Sequence, residues 1–425
     1  MLTALLISIF FLGYAAIFLE RTLRINKAAS ALLTGVLCWT VYILSADSIV
    51  EVNHHLATHM GKVSGVLFFL LGAMVIVELI DAHDGFELLT SRIRTRSKRK
   101  LLWIVSALTF FLSAILDNLT TTIVMITILR KLIADREDRL LFAGMIVIAA
   151  NAGGIWSPMG DVTTTMLWIG GQISVFATIA HLFIPSLICS VVPVLALSTR
   201  ISGYIPVPEA RPADGISSSR FERNAVFWLG IGVLFFVPFF KSLTNLPPFM
   251  GMLFGLGVMW ILTEFIHSDK SEAEKGVLSV NHAIRKIDTP SILFFLGILL
   301  AISALESTGL LGRLAYWLER QTGDVVVLGL VIGLFSSVID NVPLIAALQG
   351  MYSLSVYPTD DLFWQFVAYT SGAGGSALIV GSAAGVAAMG LEKIDFVWYL
   401  KRISFLAVMG YLCGAAVYII QRSVL

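Results

Sequence analysis

Along this chain, long apolar runs alternate with short polar or basic stretches. Runs near 2–20, 28–46, 63–82, 178–198, 223–241, 247–266, 290–306 and 401–420 are each long enough to cross about 30 Å of hydrocarbon as a helix. Four shorter runs come in two pairs. Residues 101–116 and 119–133 meet at Asp117-Asn118, and residues 325–339 and 343–356 meet at Asp340-Asn341. Each pair is expected to form a re-entrant hairpin, near 101–133 and near 325–356, that enters and leaves on one side. Two further runs, 139–175 and 362–389, are interrupted by glycine-rich stretches at 151–161 and 371–376. Glycines and a proline there are expected to break the helix. Irregular backbone at membrane depth survives only where it lines a polar cavity or is buried in protein.

Basic residues orient the scheme. With the N-terminus outside and each hairpin counted as no crossing, only Lys62, Lys241, Arg313, Arg320 and Arg422 remain outside, among 29 Lys and Arg. That asymmetry follows the positive-inside rule. Counting either hairpin as a full crossing moves later basic loops to the wrong face. The first run has no Lys or Arg ahead of it, and Arg21, Arg24 and Lys27 follow it. It reads as a first transmembrane helix rather than a cleaved leader, and both termini are expected outside.

The chain also repeats itself. Ser113-Ala-Ile-Leu-Asp-Asn118 returns as Ser337-Val-Ile-Asp-Asn341 preceded by Ser336, with each Asp-Asn pair displaced by 223 positions. Ala152-Gly-Gly154 returns as Ala373-Gly-Gly375, and Trp39 as Trp260. Five crossings per half is an odd number, so the second half starts on the opposite side and the repeats are inverted. The expected fold is an all-α polytopic membrane protein. An N-terminal repeat spans 1–205, a cytoplasmic linker 206–222 and a C-terminal repeat 223–425.

Composition supports the membrane assignment. Hydrophobic residues make up 57% and charged residues 13% of 425, against roughly 25% charged in soluble domains. A net charge of +1 offers no basic stripe for a nucleic acid. Cys38, Cys189 and Cys413 lie in apolar runs, which makes neither a disulfide framework nor a metal cluster.

Polar groups at such depth are costly and read as functional. Hairpin tips and helix breaks also bring orphan backbone groups together. Asp117 and Asn118 with the 151–161 break offer one oxygen-rich pocket; Asp340 and Asn341 with the 371–376 break offer another. Ser157, Asp161, Thr163 and Thr164 add oxygens to the first. All-oxygen ligands suit a small hard cation such as sodium or lithium. Burial disfavours the charged form of a carboxylate, so a proton and a sodium ion would compete for one group. That competition is the minimum requirement for exchange. The plain alternative is that Asp117 or Asp340 only caps the helix that follows it.

The stretches Leu116-Asp-Asn-Leu-Thr-Thr-Thr122 and Ala150-Asn-Ala-Gly-Gly-Ile-Trp-Ser-Pro-Met-Gly-Asp-Val-Thr-Thr164 resemble the NhaD-type sodium/proton antiporters of the ion transporter superfamily. The resemblance covers nearly the whole chain. It implies sodium or lithium efflux driven by proton entry across a bacterial inner membrane, by a homodimer whose transport domains move elevator-fashion against a scaffold. It carries site roles onto Asp117, Asn118, Asn151, Asp161, Thr163 and Thr164, with sodium at Asp117, Asn118, Asn151 and Asp161. In the second half it carries roles onto Ser336, Asp340, Asn341, Ser371 and Ser376, where Asp340 and Asn341 would hold a second ion. No cofactor is implied; the partners are small cations, membrane lipids and a second copy of the chain.

Other readings stay open. Sodium- or proton-coupled dicarboxylate transporters of the same superfamily share the architecture. Their anionic substrate would face Asp117 and Asp340 with no Lys or Arg near either tip, and like-charge repulsion at low dielectric is severe. A channel needs a continuous pore, and two opposed hairpins do not serve one. An intramembrane protease would have to use paired aspartates, and the Asn beside each Asp suits ion ligation better; the chain reads as no enzyme. Glu78, deep in the third span, is expected to take part in transport. Asp81, His83 and Asp84 read as interfacial. His54, His55 and His59 read as an extracellular loop, and Arg92 to Lys100 as a topology determinant.

Overall fold

The computed structural model describes residues 2–46, 48–86, 88, 95–205, 219–268, 272–322, 324–338 and 341–424. Among them are helices α1 (Leu2–Phe18), α2 (Glu20–Leu23), α3 (Lys27–Ser45), α4 (Ile49–Ala82), α5 (Lys98–Leu116), α6 (Asn118–Leu132) and α7 (Arg136–Ile155). They continue with α8 (Val162–Ile169), α9 (Val175–Ser198), α10 (Arg220–Thr244), α11 (Pro248–Ile266), α12 (Glu272–Leu278), α13 (Val280–Lys286) and α14 (Thr289–Ser307). The last are α15 (Leu310–Thr322), α16 (Val325–Ser336), α17 (Asn341–Met351), α18 (Leu362–Gly374), α19 (Ala383–Glu392), α20 (Phe396–Arg402) and α21 (Ser404–Val424). Nine of the described helices are long and apolar enough to cross a membrane. The protein is an all-α polytopic membrane protein.

Two helix groups organise the core. In the first, α3 packs along α14 and α1, and α4 packs along α10, α11 and α14. In the second, α7 packs on α5 and α6, α16 on α18, and α9 on α21. The α3–α14 and α9–α21 contacts join the two halves of the sequence. Close approach is bought by small residues: a β-carbon on Gly35 would meet the Gly297 carbonyl oxygen at 2.6 Å. Loops also tie the halves. Asp360 N–H donates to Gln172 O at 2.8 Å, and Ser174 N–H donates to Asp360 Oδ1 at 2.6 Å.

Three boundaries differ from the sequence reading. Residues 49–62 are not a loop: α4 runs for 34 residues, about 51 Å at 1.5 Å per residue. Ser48 starts it by accepting the Glu51 N–H, and its polar first half packs on the first group. Tyr42 Oη lies 2.9 Å from His55 Nδ1, and Ser307 Oγ lies 3.1 Å from His59 Nε2. The breaks are also later than expected. α7 stays helical through Asn151 and both glycines to Ile155, leaving 156–161 irregular. α18 runs through Ser371 to Gly374, leaving 375–382 irregular.

The reason is packing. A β-carbon on Gly153 would collide with the Phe110 carbonyl oxygen, and one on Gly374 with the Gly333 carbonyl oxygen. These glycines let α7 approach α5 and α18 approach α16, rather than unwinding their helices. The two contacts are equivalent, with Phe110 and Gly333 displaced by 223 positions and Gly153 and Gly374 by 221. Ser113 and Ser336 repeat the pattern. Ser113 Oγ donates to Ala150 O at 2.6 Å, and Ser336 Oγ bonds to Ser371 O.

Candidate functional site

The first Asp-Asn pair sits where α5 ends and α6 begins. Asp117 adopts φ 82°, ψ 159°, a region L side chains rarely occupy, and the chain changes direction there. Its side chain caps α6: Oδ1 accepts the Thr120 N–H at 2.8 Å, and Oδ2 accepts the Thr120 hydroxyl at 2.9 Å. The capping alternative is therefore an observed part of the geometry. Asp117 is partly buried and lines a cavity of about 20 Å³ with Phe69, Leu70, Met159, Val162 and Thr165. Among the described residues, no Lys or Arg is on that lining.

Asn118 turns the other way. Its Nδ2 donates to Asp161 Oδ2 at 2.7 Å and to Asn151 Oδ1 at 3.0 Å. Asp161 caps α8, accepting the Thr163 N–H on Oδ1 at 2.8 Å. Asn151, inside α7, then crosses to the other half of the chain. Its Nδ2 donates to Ser376 Oγ at 2.9 Å and to Ser382 Oγ at 2.8 Å. Asn118, Asn151, Asp161, Ser376 and Ser382 are all buried. The result is one polar cluster drawn from α6, α7 and both helix breaks, held in an apolar interior.

The remaining candidates divide. Thr163 is fully buried, and its Oγ1 has no hydrogen-bond partner among the described residues. Thr164 spans the break, its hydroxyl donating to Ser157 O at 2.9 Å and Asp161 O at 3.0 Å. Ser157 Oγ accepts the Met159 N–H at 3.3 Å. Ser371 turns its hydroxyl back onto Val367 O at 2.7 Å, which leaves its carbonyl to Ser336. Ser336 Oγ also bonds Asn341 Oδ1. Asp340 lies outside the described residues.

Glu78 is not in the cluster. It lines a separate cavity of about 510 Å³ and pairs with Lys286 Nζ at 3.1 Å. His83, read as interfacial, is buried; its Nε2 lies 3.2 Å from His267 Nε2, with the two rings stacked.

Sequence reasoning missed two participants. Ser382 stands 221 positions after Asp161, the displacement that relates Gly153 to Gly374, and each caps the helix after its break. Thr120 carried a signal only as the third residue after a capping aspartate. A third feature was invisible: the buried Glu392 carboxylate takes Arg130 Nε at 2.6 Å and Arg139 Nε at 2.7 Å, clamping α6, α7 and α19.

Known proteins bear on this architecture. A family model described as citrate transporter (CitMHS) matches residues 14–374. The chain is 49% identical over 419 residues to sodium/proton antiporter 1 of Arabidopsis thaliana, covering 97% of this chain and 71% of that protein. It is 46% identical over 413 residues to sodium/proton antiporter 2 of the same plant, covering 97% and 98%. It is 30% identical over 444 residues to the Na(+)/H(+) antiporter NhaD of Vibrio cholerae, covering 97% and 90%. Fold and matches together define a multi-pass membrane transporter and no enzyme. Within that class, the chain belongs to the NhaD-type sodium/proton antiporter family, inside the reach of the citrate-transporter model.

Proposed function

We propose that this protein exchanges sodium or lithium for protons by alternating access. The carrying observation is the buried cluster in which Asp161 accepts Asn118 beside the Asp117 turn, lined by oxygens and amides. Thr163 Oγ1, buried with no described partner, supplies a ligand without first breaking a hydrogen bond. The names of the plant and Vibrio relatives support sodium and protons as the ions. Loss of a proton from a buried carboxyl leaves a charge that a bare cation can neutralise, and reprotonation releases the cation. The finer reading is a homodimer working elevator-fashion, with the α5–α9 and α16–α21 group moving against the α1–α4 and α10–α14 group. Two inverted repeats, 1–205 and 223–425, underlie that motion. Both termini face outward, in the inner membrane of a bacterium.

The description citrate transporter favours a second reading, a carboxylate anion as cargo. Among the described residues, the lining around Asp117 holds no Lys or Arg, and the cluster already contains a carboxylate. An anion would meet repulsion there without a counter-charge.

Proteoliposomes carrying a pH gradient separate the two. Sodium or lithium should dissipate the gradient, and Asp117→Asn or Asp161→Asn should abolish or strongly impair that response. Dissipation by citrate instead of sodium would replace the exchange reading, and wild-type turnover in both variants would remove the assigned site. Fractionation and accessibility labelling of terminal tags test membrane and orientation.

A further inference from the structure

The cavity of about 510 Å³ carries Glu20, Lys27, Glu78, Asp81, Lys286 and Asp288 on its lining. Three of these have local roles. Glu20 Oε1 accepts the Lys27 N–H at 3.1 Å, Asp288 caps α14 at Ser291 N (3.3 Å), and the Lys27 ammonium lies 4.7 Å over the Phe294 ring. Glu78 is different. It projects from α4, and Lys286 Nζ, at the end of α13, approaches its carboxylate to 3.1 Å. The side chains are 23% and 48% exposed respectively. Leu119 and Thr120 of α6 form another wall of the same cavity, and Thr120 is the residue that holds both oxygens of Asp117. One open space therefore runs from the Glu78–Lys286 pair to Thr120, one residue contact short of Asp117, which lines the separate small cavity.

We propose that Glu78 is a cation-recruiting site on the route to Asp117, and that the Lys286 ammonium is its built-in competitor. The inference rests on the exchange reading above and extends it to the path of the ion. An ammonium is a monovalent cation on a flexible tether, and at the carboxylate it stands where a sodium or lithium ion would bind. A pair this exposed is weak, so a mobile cation can displace the lysine; a fully buried pair would hold it shut. The pair sets the sodium concentration at which the cavity loads, and the lysine returns to the carboxylate once the ion has passed.

The test is sodium-dependent dissipation of a pH gradient in proteoliposomes. Each variant is first checked for monodispersity by size exclusion. Lys286→Gln removes the competitor and should lower the apparent sodium KM about two- to fivefold, the scale of an exposed ion pair, with maximal rate unchanged. Lys286→Arg keeps a tethered cation and should keep the wild-type KM. Glu78→Gln should raise the KM by a similar factor, and Glu78→Gln combined with Lys286→Gln should match Glu78→Gln alone. Lithium should show the same pattern. If Lys286→Gln leaves the KM unchanged or raises it while the wild type exchanges normally, this proposal alone fails. A pair that merely ties α13 to α4 would lower yield and maximal rate without moving the KM, which also overturns it. If the wild type does not exchange at all, the exchange reading itself is what fails.

Discussion

Asn151→Ala tests whether the polar cluster joins the two halves of the chain as one unit. The wild-type side chain accepts from Asn118 and donates to Ser376 and Ser382, three hydrogen bonds of 2.8–3.0 Å. All three partners are buried. In membrane proteins a side-chain hydrogen bond averages about 0.6 kcal/mol and reaches about 1.7 kcal/mol. Three of them give about 2 kcal/mol, rising to about 5 kcal/mol if every partner is stranded. The vacated volume is small and polar, so a water can re-bond part of the loss, which favours the lower figure. Unfolding in mixed SDS micelles should read a destabilisation near 2 kcal/mol. The double variant Ser376→Ala with Ser382→Ala should recover most of it, and adding Asn151→Ala should then cost little more, since residues in one network couple. Asn118 would keep its bond to Asp161, so residual exchange with a raised sodium KM is expected. A destabilisation below about 0.5 kcal/mol, less than one average bond where three are removed, would refute the bridging role. So would full additivity of the three substitutions.

Other outcomes follow from single contacts. Thr163→Ala should raise the sodium KM more than it lowers maximal rate, because its hydroxyl has no described partner to lose; a rate effect alone would argue against ligation. Gly153→Ala drives a methyl group into the Phe110 carbonyl and should destabilise by about 1–3 kcal/mol, as overpacking does; wild-type stability in the same assay would contradict the close packing of α5 on α7. Glu392→Ala leaves Arg130 and Arg139 without their shared carboxylate but partly exposed, whereas Arg139→Ala strands part of a buried charge. The arginine variant should therefore be the less stable of the two, and the reverse order in thermal melts would count against the clamp. Lowering pH should raise the apparent sodium KM while leaving maximal rate intact, since protons occupy the carboxylates that the ion needs; a KM flat with pH would argue against competition.

Hydrophobic run length carried most of the helix assignment, because hydrocarbon demands a fixed span from every crossing. The helix breaks were misplaced for a physical reason. Glycine lowers helix propensity by about 1 kcal/mol, so the breaks are expected at 151–161 and 371–376, earlier than the helices end at Ile155 and Gly374. In the structure Gly153 and Gly374 face the carbonyls of Phe110 and Gly333, and tertiary packing outweighs the local preference. The polar start of α4 misled in the same way: three histidines read as a loop, yet the Ser48 cap and its neighbours carry the helix through them. Asp117, Asn118, Asn151 and Asp161 were all visible as polar residues in apolar surroundings. Which of them meet was not. Adjacency in sequence joined Asp117 to Asn118, while the fold sends the first to Thr120 and the second to Asp161.

That divergence bears on how far the second half of the sequence repeats the polar cluster of the first. At matched positions the halves present Asn118 and Asn341, Asp161 and Ser382, and Asn151 and Gly372. The backbone roles are kept, since Asp161 and Ser382 each cap the helix after a break. The charge is not kept. A carboxylate in the first half corresponds to a hydroxyl in the second, and the place matching the Asn151 amide is a glycine, Gly372, packed against Ile155. A β-carbon at Gly372 would already press on Ile155 and come within 3.9 Å of Asp161 Oδ2. Asn151 reaches across to the second break, so one asparagine serves both halves. Restoring the symmetry with Ser382→Asp would put a second carboxylate against the Asn151 amide, near Asp161. Two buried acids joined through one amide network cannot both ionise cheaply, so one should hold its proton, and the proton release that sodium binding requires should become harder. The expected phenotype is a higher sodium KM at neutral pH that recovers as pH rises. An unchanged KM across the same range would mean that the two breaks do not share one electrostatic site.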